Sequence, residues 1–253
     1  MCSSDLPRTP LEGSPLGQVV SDLVSYEVVD GVAVITMDDG KANAVSSALQ
    51  TGVNNALDRA EADGLAVVLT GRPGFFSAGF DLKTLAASGQ PAVDMLNGGI
   101  ELAIRLLSFP RPVIVASPGH AIAMGVFLSL CGDYRIGVDG PYRYVANEVA
   151  IGMAMPFSTI EILRQRVTPA ALTRSVLLSE VFTPANAVAN GFLDEVVAPE
   201  ELMPRALEFA KSLSALDASA HAVSKKRLRA GVLAAMREGL AKDLDGWQKQ
   251  FLA

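Results

Sequence analysis

Cysteine, histidine and tryptophan are close to missing from this chain, which has two, two and one of them in 253 residues. Cys2 lies in a Ser/Pro/Gly-rich start and Cys131 in an apolar run, which argues against a disulfide and against a thiolate metal site. His120 and His221 are far apart and show no metal-ligand spacing, so no metal is expected. Positive charge is also short: the formal net charge is -6, and no basic run is long enough to suggest a nucleic-acid surface. Small molecules or further copies of the chain are the expected partners. No segment approaches the roughly 18–20 uninterrupted apolar residues of a membrane span. The opening stretch MCSSDLPRTPLEGSPLG lacks both a basic start and an apolar h-region. It therefore reads as no signal peptide, and a cytoplasmic location is expected.

What is there is globular in composition, with 50% hydrophobic and 19% charged residues, in a length that suits one large α/β domain or two smaller ones. Residues 1–22 carry no periodicity and read as a loose N-terminal tail. Two β-rich runs, Tyr26–Val29 and Val32–Met37, meet at Asp30-Gly31, a two-residue hairpin signal. A helix is predicted from Ser46 or Ser47 to about Asp63, with Leu49, Val53, Ala56, Leu57 and Ala60 on one stripe. Leu65–Thr70 and Val113–Ala116 are continuous apolar runs of strand length, as buried parallel strands would be. A further helix is predicted over about 92–107, stopped by Pro110 and Pro112. Helices are expected over 157–166 and 168–178, and another starts at Thr183-Pro184 and ends at Asn190-Gly191. Asp194–Val197 is a short strand-like piece, and three helices near 199–215, 217–229 and 232–251 close the chain. Strand, strand, helix recurs loosely, which favours stacked ββα turns over a doubly wound sheet.

Two loops share one form, a buried strand followed by a small-residue turn and then a helix. They are Ser77-Ala78-Gly79-Phe80-Asp81 and Ala121-Ile122-Ala123-Met124-Gly125. Facing each other, two such turns can aim two backbone N–H groups at one oxygen, where one donor is commonly worth about 3–4 kcal/mol in the transition state. A single carboxylate, Glu148, follows within an otherwise apolar stretch.

These two loops resemble the crotonase (enoyl-CoA hydratase/isomerase) superfamily. So do Pro112-Val113-Ile114-Val115-Ala116, Cys131-Gly132-Asp133-Tyr134-Arg135 and Asn147-Glu148-Val149-Ala150-Ile151-Gly152, and the likeness runs from about Ser25 to the C-terminus. The resemblance implies an α/β fold: a crotonase-like ββα spiral core over 23–197, carrying acyl-CoA binding and catalysis. A C-terminal helical region over 198–253 would serve oligomerisation and lid the CoA site. It also implies a homotrimer or dimer of trimers, and an acyl-CoA substrate of fatty acid metabolism. No cofactor is expected beyond the coenzyme A of that substrate, and neither Gly loop has the dinucleotide G-x-G-x-x-G spacing.

Carried over residue by residue, the oxyanion donors would be the backbone N–H groups of Phe80 and Met124. Met124 puts bulk where the family has little, which would reshape the acyl pocket. Family hydratases hold the attacking water with two glutamates. The position of the first is Phe127 here, and the second matches Glu148. A phenyl ring can neither orient nor deprotonate water, whereas a 1,3-proton shift needs one carboxylate, so the pattern resembles the single-glutamate 3-enoyl-CoA isomerases. Burial beside Phe127 should raise the Glu148 pKa. Lys41 and Ala42 match a stretch that touches CoA, or form a turn and helix cap. Ala78, Asp81, Leu82, Lys83 and Phe127 are carried over as substrate- or CoA-binding, and Asp81 also reads as a helix cap. Ser224–Arg229 would meet CoA phosphates or form a solvated helix face. His120 reads as packing, and Asp139, Tyr142 and Tyr144 as undifferentiated pocket neighbours. Two alternatives stand beside isomerisation: a hydratase (lyase) with a replaced water-activating group, and an acyl-CoA-binding protein that has lost catalysis.

Overall fold

The computed structural model describes residues 18–252. Strands β2 (Val24–Val29) and β3 (Val32–Met37) form the expected hairpin. Asp30 and Gly31 both take positive φ (51° and 79°), the two-residue turn whose twist matches the strands it joins. The loose tail expected over 1–22 is corrected at its inner end, and its first seventeen residues, Cys2 among them, lie outside the described residues. Gln18–Ser21 is a strand, β1, paired antiparallel with β2 through Val19–Ser25 and Gln18–Tyr26. The outer edge of β2 offers unpaired backbone groups, and a short Val-Val segment suffices to satisfy them.

Helix α1 (Ser47–Ala62) starts where Ser46 accepts the N–H of Leu49. Three ββα turns then stack. The first is β4 (Ala66–Thr70), β5 (Gly74–Ser77), α2 (Leu82–Ala87) and α3 (Gln90–Ser108). The second is β6 (Val113–Ser117), β7 (Gly119–Ile122) and α4 (Met124–Leu130). The third is β8 (Tyr134–Val138), β9 (Tyr144–Val145), a 3-10 turn over Val149–Ile151, and α5 (Phe157–Arg164). Helices α6 (Pro169–Leu178) and α7 (Pro184–Asn190) open on Pro behind Thr168 and Thr183, and strand β10 (Glu195–Val197) follows. The first strand of each turn joins a seven-stranded sheet of order β1-β2-β3-β4-β6-β8-β10, parallel from β3 onward. The second strand of each joins a separate parallel sheet, β5-β7-β9. The turn expected over Ala121–Gly125 is shorter than its composition suggests. Ala121 and Ile122 pair with β9, and only Ala123 separates β7 from α4.

The large sheet is covered on both faces, which is why its strands read as unbroken apolar runs. Val67, Leu69, Val113 and Val115 face the main core, whereas Val68, Ile114 and Ile136 face α8 (Leu202–Leu213). The helical end of the chain is corrected: the segments expected at 217–229 and 232–251 are one 34-residue helix, α9 (Ala218–Phe251). The expected break held Ala230 and Gly231; Gly231 is exposed, and one glycine costs a helix about 1 kcal/mol, too little to stop it. Helix α9 packs on α3 and α5 and so brings the C-terminus to the loops of the first and third turns.

Candidate active site

The loop after β5 is built on buried polar groups. Ser77 donates its hydroxyl to Asn43 O (2.6 Å) and accepts the N–H of Gly79 (3.2 Å). Asn43, fully buried at φ 53°, donates its amide to Met37 O and Phe76 O. Two backbone bonds, Ala78 N to Ala42 O (2.9 Å) and Val45 N to Gly79 O (2.8 Å), fasten the 41–45 segment to this loop. Gly79 takes φ 94°, and a Cβ there would stand 2.8 Å from Ala123 Cβ and 3.4 Å from Met124 N. A Cβ on Gly125 would reach Ser77 O at 2.2 Å. The two turns therefore touch backbone to backbone, and glycine at both positions is what allows it. Ala123 itself sits at φ 49°, ψ -125°, a conformation a non-glycine residue keeps only when its surroundings enforce it. Among the described residues, no protein acceptor takes the N–H of Phe80 or of Met124. Met124 is the first residue of α4, where an N–H has no partner inside the helix.

Beside these turns lies a cavity of about 140 Å³, walled by Phe80, Leu85, Leu96, Ile100, Phe127 and Trp247. Among the described residues, Asn147, Glu148 and Thr159 are its polar lining, and Glu148 is its only carboxylate. The Thr159 hydroxyl is committed to Pro156 O (2.9 Å). Glu148 lies three residues past the end of β9, at the start of the 3-10 turn, and is 7% exposed. Among the described residues, its Oε2 has no hydrogen-bond partner, nor has the buried Oδ1 of Asn147. Loss of water pushes the Glu148 carboxyl up to about 7, opposed only weakly by its own backbone N–H. An orphaned carboxylate in an apolar cavity, beside two unused N–H donors, is equipped to take and return a proton next to a developing negative charge.

The cavity gathers Ala78, Phe80, Leu82, Phe127 and Glu148 from the residues singled out in the sequence. Met124 is not in its wall. That side chain is buried, with its methyl near Gly99 of α3 where the Phe80 ring also rests. Lys41, Ala42, Asp81 and Lys83 do not line it either. Lys41 and Lys83 are exposed, and Ala42 contributes its carbonyl to the loop. Asp81 caps α2; the Thr84 hydroxyl (2.7 Å), with the N–H groups of Lys83 and Thr84, holds its carboxyl below the usual range. His120 stands between the Phe75 and Tyr142 rings and accepts the N–H of Arg143, a packing role. Tyr144 is buried with its hydroxyl on Ser117 Oγ (3.3 Å).

The 224–229 run divides: Ser224, Lys226, Arg227 and Leu228 are exposed, as on a solvated helix face, and two basic residues turn inward. Lys225 and Arg229 are buried on Asp133 (2.6 and 2.8 Å) rather than solvated or open to a phosphate. Leu85, Leu96, Ile100, Met153, Pro156, Thr159 and Trp247 were not foreseen. Leu96 and Ile100 lie four apart on α3 and carry the same signal as any core stripe.

The stacked ββα turns, with paired backbone turns facing one buried carboxylate, define a crotonase-type spiral. Residues 27–251 match the enoyl-CoA hydratase/isomerase family, and the chain belongs to it. The Mtb enoyl-CoA isomerase structure is 48% identical, covers 91% of this chain and 99% of its own, and superposes with a TM-score of 0.84. An enoyl-CoA hydratase structure from Mycobacterium marinum is 44% identical over 90% of this chain and 99% of its own, also with a TM-score of 0.84. The human mitochondrial enoyl-CoA delta isomerase 1 is 31% identical over 213 residues, which is 82% of this chain and 70% of that protein. Among the described residues, no group of three or more His, Cys, Asp or Glu could hold a metal ion. No helix among them is long and apolar enough to cross a membrane.

Proposed function

We propose that the chain isomerises 3-enoyl-CoA to 2-enoyl-CoA thioesters, with no cofactor beyond the coenzyme A of the substrate. One observation carries this reading: among the described residues Glu148 is the only carboxylate of the cavity, and Phe127 forms its wall where a second would be needed for water. The thioester oxygen accepts the Phe80 and Met124 N–H groups. Ionised Glu148 removes a proton from C2, and the electron pair delocalises into a dienolate whose charge rests on that oxygen. The same carboxyl group, now protonated, returns the proton to C4, and the double bond settles between C2 and C3. A carboxyl with a pKa of about 7 suits both halves, because neither protonation state is strongly disfavoured at neutral pH.

Hydration is the rival, since a 44% identical neighbour is named a hydratase. It asks more of the cavity. The Thr159 hydroxyl is already donated, and Asn147 Oδ1 can accept from water but cannot deprotonate it. The experiment is turnover of 3-hexenoyl-CoA, followed at the conjugated thioester band, by wild type and Glu148→Gln. The variant should lose about 10³-fold in rate, and wild-type kcat/KM should rise with pH through an inflection near 7 as Glu148 ionises. Equal rates in both proteins would remove Glu148 from the mechanism. Hydration of crotonyl-CoA faster than isomerisation would give the site to the rival.

A further inference from the structure

The Glu148 cavity has a neighbour. A second cavity, of about 250 Å³, lies between the 152–157 segment and α9, where Lys242, Asp243 and Gln250 line it. Met153, Pro156 and Trp247 line both cavities, so these three side chains form the partition. The first cavity, at about 140 Å³, is close in size to an engineered apolar cavity of roughly 150 Å³ that holds one benzene. It therefore accommodates about six carbons, the reacting ones included.

The three partition residues are not equally fixed. Pro156 stands at the start of α5, whose first two N–H groups, from Phe157 and Ser158, are held by Asp243 (2.8 and 3.0 Å). Trp247 belongs to the core on the long helix α9. Met153 lies in a loop just after Gly152, which takes φ 80°, and is half-buried. Its own N–H is bonded to Glu148 O (2.8 Å), so the backbone is tied to the catalytic turn while the side chain is not. A thioether side chain with three rotatable bonds fills irregular gaps and yields them readily.

We propose that this enzyme takes short and medium acyl chains of up to about six to eight carbons, and that Met153 is the specificity-determining residue that ends the acyl site. The proposal rests on the reading of the Glu148 cavity as an acyl-CoA site. A longer chain must displace Met153 and continue into the second cavity, past the polar side chains of α9.

The test is calorimetric binding of saturated butanoyl-, hexanoyl-, octanoyl-, dodecanoyl- and hexadecanoyl-CoA, none of which can be isomerised. For wild type, affinity should tighten about fourfold per methylene as far as hexanoyl or octanoyl, then level off or fall. Met153→Ala should tighten dodecanoyl-CoA binding at least about tenfold relative to butanoyl-CoA binding, as methylenes enter the opened space. A wild-type series that keeps tightening to hexadecanoyl-CoA overturns the proposal, and this arm does not depend on whether the variant folds. A folded Met153→Ala with the wild-type series removes Met153 from the role. No binding of any acyl-CoA by wild type would overturn the proposal together with the acyl-CoA reading beneath it. The expected series without isomerisation of any 3-enoyl-CoA would leave the chain-length limit standing and overturn the reaction alone.

Discussion

Glu148 and Asp243 are both buried carboxylates, 7% and 6% exposed, and the fold treats them in opposite ways. Asp243 projects from α9 to the first turn of α5. There it accepts the N–H groups of Phe157 (2.8 Å) and Ser158 (3.0 Å) and the Ser158 hydroxyl (2.7 Å). The residue at the N-cap of α5 is Pro156, which has no side-chain acceptor, so the cap is supplied from another helix. Glu148 has an oxygen with no partner and a cavity in front of it. Equal burial thus accompanies two different situations, one carboxylate satisfied by donors and one with an oxygen left unpartnered. The difference lies in the donors around each, not in the depth.

Removing the satisfied carboxylate should have the larger effect. Asp243→Ala leaves two backbone N–H groups at the start of α5 and the Ser158 hydroxyl without their acceptor. Hydrogen bonds to a charged group contribute about 1.5–3 kcal/mol each, and buried orphaned donors carry a desolvation cost besides, so a loss of roughly 4 kcal/mol is expected. Urea unfolding of wild type and variant measures it. A loss below about 1 kcal/mol would mean that water replaces Asp243 readily, and the contrast with Glu148 would fail from that side.

Removing the unsatisfied carboxylate should act with the opposite sign. Folding raises the Glu148 pKa from 4.5 to about 7. The folded state therefore holds this proton more tightly than the unfolded chain. Stability is fully present below pH 4.5 and is lost as pH rises through about 7, where burying the charge costs about 3 kcal/mol. Glu148→Gln carries no charge at any pH. It should match wild type in stability near pH 4 and exceed it by up to about 3 kcal/mol near pH 8, as catalysis falls. Denaturant midpoints at the two pH values report this directly. A stability difference between variant and wild type that is the same at both pH values would show that Glu148 finds a partner the cavity does not display.

The sequence disclosed what depends on near neighbours. The Asp30-Gly31 turn, the Ser46 and Asp81 caps and the all-buried runs of β4 and β6 each need only a few adjacent residues to be recognised. The paired turns and the Phe127–Glu148 contrast were legible because a family pattern supplied the pairing that spacing alone does not. What stayed hidden rests on groups distant in sequence. Asp243 caps a helix 85 residues upstream, and Lys225 is drawn into the protein by Asp133 across 92 residues. Trp247 closes a cavity whose carboxylate lies on another element altogether. A basic residue in a helical run looks solvated until its partner is seen. Burial in fact lowers the Lys225 pKa despite the attraction of Asp133.

The smallest expected effect concerns the helix that carries Asp243 and Trp247. Gly231 is exposed within α9, its φ is not left-handed, and a Cβ there would meet no atom within 4 Å. Alanine at this position loses less backbone entropy on folding and creates no clash, so Gly231→Ala should stabilise the chain by about 0.5–1 kcal/mol. Chemical denaturation would show the gain, with enoyl-CoA turnover unchanged because residue 231 does not line the cavity. If alanine instead destabilised the protein, α9 would need the flexibility of a two-segment helix at this point, and Asp243 and Trp247 would be carried by a separate arm. A small gain means that one continuous helix delivers both, so the acceptor that fixes α5 and the indole that closes the Glu148 cavity move as a single body.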